Sequence, residues 1–132
     1  LKEEILDIAK VPIWFAINFS DEEFNKKITW LSNLTDSQYD KITGIVVDSK
    51  NFGSGTTFDW EKNKEKLETK ALKDKDFILA GGLKEDNVQE AIKILSPDIV
   101  DVSSGVEKSK EQIGKDKKLI DNFVKAVRKG TI

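Results

Sequence analysis

The sequence predicts an α/β fold in which about four strand–helix units build a parallel sheet. Short apolar runs bounded by polar turns alternate with longer segments of helical periodicity, which is typical of such units. Three of the four predicted strands end in glycine, serine or aspartate, and ligand sites of parallel sheets lie beyond the strand ends. The 132 residues have room for one domain, but a complete barrel of eight units takes about 250.

The amino-terminal part of the chain predicts a helix, a strand and a second helix. Residues 1–10 carry apolar side chains on one helical face and have the pattern of the end of a helix. Residues 11–17 form an apolar run that predicts a strand, with its proline near the start, where proline is tolerated. Ser20 and Glu23 have capping-box spacing, and apolar residues follow at helical intervals, so residues 20–31 are expected to form a helix.

The middle of the chain predicts two further strands with a helix between them. The run "ITGIVVD", residues 42–48, is nearly all apolar and β-branched, as expected of a strand covered on both faces, and it ends in Asp48. Residues 59–72 have a sparse helical pattern with Asp59 as the expected N-cap. Residues 77–80 form the third strand, which runs directly into two glycines.

The carboxyl-terminal part predicts two amphipathic helices separated by a strand. Residues 85–95 and 117–129 are the helices, and "DIVDVSSGVE" between them supplies the fourth strand and a turn of small residues. Each helix places its apolar residues on one stripe. These are Val88, Ala91, Ile92 and Leu95 in the first helix and Ile120, Phe123, Val124 and Val127 in the second.

Composition excludes several classes of function. A formal net charge of -2 and a pI near 5.3 give no indication of a nucleic-acid partner. The longest apolar runs are far shorter than the roughly 20 residues that span a bilayer, so no membrane partner and a cytoplasmic location are expected. The chain contains no cysteine and no histidine, which makes zinc and copper sites improbable. No metal and no cofactor are predicted, and acid–base chemistry is left to carboxylates, lysines or Tyr39.

Two loops of small residues are the candidate ligand site. Gly81 and Gly82 lie between a strand and a helix, where glycines can present backbone N–H groups to an anion. A tight turn with positive φ explains such a pair equally well. Ser103, Ser104 and Gly105 follow the next strand, and barrels of parallel strands often hold a phosphate at two successive loops of this kind.

Two carboxylates and a second glycine pair are further candidates. Asp48 ends an apolar strand, and an apolar environment favours the protonated form of a carboxyl group, which would make Asp48 a proton donor. Asp101 ends the fourth strand, and both Asp101 and Asn87 could contact a substrate or brace a loop. Gly53 and Gly55 lie in "NFGSGTTFDW", whose glycine spacing lacks the third glycine of a dinucleotide fingerprint.

Three of these motifs together resemble a known family. "VVDSKNFGSGTTFDW", "FILAGGLKEDNVQEAI" and "DIVDVSSGVE" are similar in order and spacing to three signatures of phosphoribosylanthranilate isomerase, the TIM-barrel enzyme of tryptophan biosynthesis that performs an Amadori rearrangement. The resemblance runs from about Val11 to the end of the chain. It implies that residues 1–132 form a half-barrel, the fifth to eighth strand–helix units of a (β/α)8 barrel.

The resemblance also implies roles for individual residues. Asp48 would be the general acid that protonates the ribose ring oxygen as the sugar opens to a Schiff base. The substrate phosphate would be held by the backbone N–H groups of Gly81, Gly82, Ser103, Ser104 and Gly105. The family's general base is a cysteine on the first strand, which this chain lacks. The family's Gly-x-Lys-Asp turn is matched at Lys115 and Asp116, but Ile113 stands at the glycine position.

Three interpretations remain open on the sequence. The chain is either the C-terminal half of the isomerase, inactive until an N-terminal half completes it, or a non-catalytic phosphate-binding half-barrel that pairs with its own copy. A relative of another phosphosugar barrel, such as indole-glycerol-phosphate synthase, is the third, and the "GSGTTFDW" loop argues against it. The expected partners are therefore a phosphosugar substrate and either the missing half or a second copy.

Overall fold

The chain folds as a four-stranded parallel sheet with helices. The computed structural model describes residues 2–18, 21–49, 57–109 and 111–130. The strands occur in the order of the sequence, β1-β2-β3-β4. They are β1 (Ile13–Ile17), β2 (Ile42–Asp48), β3 (Asp76–Ala80) and β4 (Ile99–Val100). The predicted α/β class with a parallel sheet is confirmed, and no described helix is long and apolar enough to cross a bilayer.

Seven α-helices occur in the described ranges, together with two short 3₁₀ helices at Lys64–Glu68 and Ser104–Val106. The α-helices are α1 (Glu3–Ile8), α2 (Asp21–Ser32), α3 (Asp36–Lys41), α4 (Thr57–Asn63), α5 (Lys70–Lys73), α6 (Val88–Leu95) and α7 (Lys117–Gly130).

The register of the sheet brings the carboxyl ends of its strands to one edge. Ile17 on β1 pairs with Val47 on β2, Val47 pairs with Leu79 on β3, and Leu79 pairs with Val100 on β4. Because all pairs are parallel, the residues that follow these positions emerge at the same edge of the sheet. The loops after β2, β3 and β4 are therefore neighbours in space.

Helices cover one face of the sheet. Phe15 and Ile45 belong to a buried cluster with residues of α1 and α2, whereas Leu79 belongs to a second cluster with residues of α4, α6 and α7. The opposite face carries Trp14 and Ile99, whose side chains are 53% and 37% exposed. The expectation that β2 is covered on both faces is therefore only half correct for the described residues.

The predicted apolar stripes are right for one helix and partly wrong for the other. All four predicted residues of α6 are buried: Val88, Ala91, Ile92 and Leu95. In α7 only Phe123 of the predicted set is fully buried, together with Ala126, whereas Ile120 and Val124 are each 39% exposed. The contact face of α7 is therefore rotated toward Ala126, a small residue whose burial the hydrophobic pattern underrates.

Helix α3 was not predicted. Its N-cap is Thr35, whose Oγ1 accepts a hydrogen bond from the Gln38 N–H at 3.2 Å, while the Gln38 side chain accepts from the Thr35 N–H at 3.0 Å. This capping box satisfies two N–H groups that a helix start otherwise leaves unpaired. Local capping rather than an apolar stripe therefore forms the helix, and none of its residues is fully buried.

The helix predicted over residues 59–72 is broken into three pieces, α4, the first 3₁₀ helix and α5. Asp59 is not its N-cap, because α4 begins at Thr57. The break before α5 has a local cause: Thr69 Oγ1 donates to the Lys66 carbonyl at 2.7 Å, and such back-bonding competes with the helical ladder. The Ser20 N-cap lies outside the described residues.

Several other boundaries differ from the predicted ones, and β1 begins at Ile13 instead of residue 11. Helix α6 begins at Val88 instead of residue 85, because Lys84 to Asn87 form a turn closed by an Asn87 N–H···O=C Lys84 bond of 3.2 Å. Strand β4 pairs over only two residues, after which the chain turns away toward the serines.

Tyr39 and Lys75 form a polar contact at the opposite edge of the sheet, where the strands begin. The Tyr39 hydroxyl donates to the Ala71 carbonyl at 2.6 Å, and Lys75 Nζ donates to the Tyr39 carbonyl at 2.9 Å while lying 3.7 Å from the centre of the Tyr39 ring. Burial, followed by the charges of Asp74 and Asp40, raises the pKa of Tyr39. Burial lowers the pKa of Lys75, although Asp40 and Asp74 oppose this shift.

Candidate functional site

A cavity of about 280 Å³ opens at the edge where β2, β3 and β4 end. Its described lining consists of Asp48, Ala80, Gly81, Gly82, Leu83, Asp101, Ser103 and Ser104. The structure therefore gathers most of the predicted site residues from three separate strand ends into one place. Gly105 and Asn87 lie just behind this lining, and Gly53 and Gly55 lie outside the described residues.

The glycine pair makes a left-handed turn at the mouth of the cavity. Gly81 has φ of 85° and Gly82 has φ of 70°, values that residues with a Cβ adopt at a cost. A Cβ built on Gly82 meets no atom within 4 Å, so backbone conformation rather than space requires glycine there. Among the described residues no acceptor is found for the Gly82 N–H. The glycine pair therefore forms a tight turn and also has a backbone N–H group, that of Gly82, without an acceptor among the described residues.

Two side chains hold the carbonyl groups of this glycine loop. Ser49 is only 2% exposed, and its Oγ lies 3.1 Å from the Ala80 carbonyl oxygen and 2.8 Å from that of Gly81. Asn87 Nδ2 donates to the Gly82 carbonyl at 2.9 Å, and its Oδ1 accepts from the Lys84 N–H at 2.9 Å. Asn87 thereby links the Gly82 carbonyl to the Lys84 N–H.

The serine loop packs directly against the glycine loop. Ser104, Gly105 and Val106 form one 3₁₀ turn after β4. A Cβ built on Gly105 would lie 2.0 Å from the Leu83 carbonyl oxygen and 3.0 Å from the Leu83 carbonyl carbon. Only glycine fits at this contact, because no Cβ approaches a carbonyl so closely. Gly105 thereby sets the separation of the two loops.

Lys115 binds the first residue of the serine loop. Its Nζ donates to the Ser103 carbonyl at 3.0 Å, to Ser103 Oγ at 3.0 Å and to Glu107 Oε1 at 2.9 Å. Lys115 matches the family's turn in the sequence, but its contacts could not be predicted from that match. Ser49 was not predicted as a site residue, because the sequence marks it only by its place directly after Asp48.

The turn that carries Lys115 differs from the expected pattern by one residue. Ile113, at the expected glycine position, is 99% exposed, and Gly114 supplies the left-handed conformation with φ of 110°. Asp116 Oδ1 accepts from the Leu119 N–H at 3.1 Å at the start of α7. The matched lysine and aspartate thus have structural contacts despite the shifted glycine.

Asp48 and Asp101 supply two carboxylates to the cavity. Both side chains are exposed, so the apolar surroundings expected around Asp48 are not provided by the described residues. The reason is that Asp48 points to the face of the sheet that no described helix covers. The described lining contains no lysine or arginine. An anion bound here would consequently be held by neutral N–H and hydroxyl groups.

Among the described residues no group of three or more potential metal-ligating side chains comes together.

Comparison with known proteins identifies the family of this fold and site. The family model described as N-(5'phosphoribosyl)anthranilate (PRA) isomerase matches residues 2–126. The N-(5'-phosphoribosyl)anthranilate isomerase of Clostridium kluyveri is 43% identical over 96% of this chain and 66% of its own length. That of Streptococcus mutans is 45% identical over 67% of this chain and 42% of its own length.

Solved structures agree with the sequence relatives. Phosphoribosyl anthranilate isomerase from Thermococcus kodakaraensis superimposes with a TM-score of 0.65 at 28% identity, covering 95% of this chain and 56% of that one. A phosphoribosyl anthranilate isomerase in complex with reduced 1-(O-carboxyphenylamino)-1-deoxyribulose 5-phosphate gives 0.57 at 27% identity, covering 91% and 50%. The matched part of this chain therefore corresponds to between 42% and 66% of the length of these proteins.

Proposed function

Since this chain belongs to the N-(5'-phosphoribosyl)anthranilate isomerase family, we propose that it carries the phosphate-binding and proton-donating part of an isomerase active site. The reaction would be the Amadori rearrangement of N-(5-phosphoribosyl)anthranilate to 1-(2-carboxyphenylamino)-1-deoxyribulose 5-phosphate, a step of tryptophan biosynthesis. The observation that carries the proposal is the cavity in which Asp48 faces the glycine and serine loops. The family's isomerase chemistry favours this function over a non-catalytic half-barrel.

The two loops would bind the substrate phosphate through backbone N–H groups. Support comes from the left-handed glycine turn, from the contact between Gly105 and Leu83, and from the absence of an acceptor for the N–H of Gly82, Ser104 or Gly105 among the described residues. Backbone N–H groups arranged around a concavity bind phosphate without a cationic side chain. With two carboxylates elsewhere in the lining, the loops are the most favourable part of the cavity for a dianion.

Asp48 would act as the general acid once the phosphate is anchored. The carboxyl group donates its proton to the ribose ring oxygen, the bond from that oxygen to C1 breaks, and the sugar opens to a Schiff base. A base then removes the proton from C2, and the resulting enolamine tautomerises to the ketone. Asp48 is exposed in this chain, so its surroundings in the active site would be completed by substrate or by a partner segment.

The remaining groups of the active site would come from another polypeptide segment. The chain contains no cysteine, the residue that serves as base in this family, so we expect no turnover by the chain alone. We assign its four strands to the fifth to eighth strands of a (β/α)8 barrel, completed by an N-terminal half or by a second copy. The half-exposed Trp14 and Ile99 on the uncovered face of the sheet are consistent with such an arrangement. The cytoplasmic location stays a prediction.

A complementation assay tests this function. The chain would be mixed with the N-terminal segment of the Clostridium kluyveri isomerase, and loss of substrate fluorescence would be followed. We expect activity in the mixture, none in either part alone, and none with Asp48→Asn. Asp86→Asn removes the same charge at an exposed position outside the cavity and should retain the rate. Full activity with Asp48→Asn would remove Asp48 from the proposed role.

A further inference from the structure

Three side chains outside the cavity lining bind backbone carbonyl groups of the two loops, and their contacts share one geometry. We propose that Ser49, Asn87 and Lys115 are positioning residues, which bind backbone carbonyl groups of the two loops and thereby turn the N–H groups of the same peptides toward the anion. The inference rests on the proposed phosphate site and deepens it. It explains how two loops without cationic side chains keep their backbone N–H groups oriented before an anion binds.

The planarity of the peptide group provides the physical link. In a trans peptide the C=O of one residue and the N–H of the next point in opposite directions within one plane. A hydrogen bond that fixes the carbonyl therefore fixes the direction of the N–H as well. The donors of an anion site are most effective when this orientation is set in advance, because no reorganisation is then needed on binding.

The glycine loop shows this arrangement at consecutive peptides. Ser49 binds two successive carbonyls: its backbone N–H donates to that of Ala80 at 2.9 Å, and its hydroxyl group, which has one proton, donates to that of Gly81 at 2.8 Å. The N–H groups of Gly81 and Gly82 therefore point away from Ser49. Asn87 binds the Gly82 carbonyl, which directs the Leu83 N–H away from Asn87 in the same manner. Glycines rotate about φ and ψ more freely than other residues, so this loop would otherwise have the least defined donors of the site.

The serine loop shows the same arrangement with a different anchor. Lys115 Nζ binds the Ser103 carbonyl, which fixes the Ser104 N–H on the opposite side of that peptide. The same ammonium group is within hydrogen-bond distance of Ser103 Oγ and Glu107 Oε1, so three acceptors use its three protons. Its charge is compensated by Glu107, and its contribution to the site is therefore orientation more than attraction.

The positions of anchors and donors around the cavity support this division of roles. None of the three anchors is part of the described cavity lining. The residues whose N–H groups they orient all are: Gly81, Gly82, Leu83 and Ser104. The anchors thus bind the loops from the outside while the opposite ends of the same peptides face the cavity.

Lys115→Met tests the inference most cleanly, because Lys115 is 43% exposed and methionine keeps most of its chain length while removing the charge and the donors. Lys84→Met is the matched control: it removes the same charge from a residue adjacent to the lining, where the ammonium group is paired with Asp86. Ser49→Ala removes the second anchor, and Ser49→Thr restores a hydroxyl group.

Two measurements on the folded chain would be made for each variant. Residual dipolar couplings report the direction of the Gly82 and Ser104 N–H bonds without any ligand, and titration with inorganic phosphate followed by the shifts of the same N–H groups reports affinity. In Lys115→Met the Ser104 coupling should change and phosphate should bind about tenfold more weakly, whereas Lys84→Met should leave the couplings unchanged. Ser49→Ala should alter Gly82, and Ser49→Thr should recover it.

Each contrary result identifies what has failed. Unchanged couplings and affinity in Lys115→Met and Ser49→Ala, with phosphate still bound at Gly82 in the wild type, would overturn the positioning roles alone. Equal weakening by Lys84→Met and Lys115→Met would also overturn them, because long-range charge would then be the cause. Absence of any phosphate response at Gly82 and Ser104 in the wild type would overturn the proposed phosphate site and this inference with it.

Discussion

Replacing Gly105 with alanine tests whether the two loops must touch for the site to bind an anion. The new Cβ would lie 2.0 Å from the Leu83 carbonyl oxygen and 3.1 Å from Lys84 Cβ. Ordinary carbon–oxygen contacts are about 3.3 Å, so the loops must separate by roughly 1 Å. Overpacking of this kind costs about 1–3 kcal/mol of stability, and the upper end is expected because the neighbour is backbone and cannot rotate away.

Separation of the loops should weaken phosphate binding by much more than a simple loss of stability would. A misplacement of about 1 Å in a binding site has large effects, and we expect a decrease in phosphate affinity of at least about tenfold. Isothermal titration calorimetry gives the affinity, and urea denaturation gives the free energy of unfolding. Gly44→Ala is the control: it creates a comparable overpacked contact, 2.7 Å from Ile78 Cδ1, at a residue of β2 outside the cavity lining. Wild-type affinity in a folded Gly105→Ala variant would refute the reasoning.

Three further predictions concern charge, core and pH. Asp48→Asn should bind inorganic phosphate roughly two- to tenfold more tightly at low salt, since one carboxylate leaves a cavity without lining cations; titrations at low and high salt check this, and weaker binding would contradict it. Leu79→Ala, at a fully buried position, should lower the free energy of unfolding in urea by about 2–5 kcal/mol. A decrease below about 1 kcal/mol would contradict the burial of Leu79 in the core. Tyr39→Phe removes a hydrogen bond that stabilises the fold by about 1 kcal/mol. Because the pKa of Tyr39 is raised in the folded state, the wild type should have the larger free energy of unfolding at every pH below the ordinary tyrosine pKa near 10. This difference should shrink as pH rises through the raised pKa of the folded state. An advantage that grows with pH in denaturation experiments would contradict the sign.

The strands, and the grouping of the candidate site residues at one edge of the sheet, could be predicted from the sequence because their signals are local and strong. Five of the seven residues from Ile42 to Asp48 are β-branched, and the structure begins and ends β2 at these residues. The glycine pair and the serine turn each follow a strand, and parallel pairing brings such loops to one edge regardless of distance along the chain. Their place in one cavity with Asp48 therefore follows from topology alone.

The contacts that organise the site could not be predicted in the same way. Ser49 and Lys115 bind carbonyl groups of residues 31 and 12 positions away in the chain, and no hydrophobic period marks such bonds. The exposure of Asp48 was also unexpected, because an apolar strand indicates burial without saying which face has a covering layer. Helix α3 was missed because its signal is a capping box and not an apolar stripe.

A crystal structure with reduced 1-(O-carboxyphenylamino)-1-deoxyribulose 5-phosphate, the compound bound in a related isomerase, would test the central claim most directly. The phosphate should lie about 3 Å from the N–H groups of Gly82 and Gly105, with the sugar extending toward Asp48. A phosphate bound at any other surface, with these N–H groups left unoccupied, would contradict the assignment.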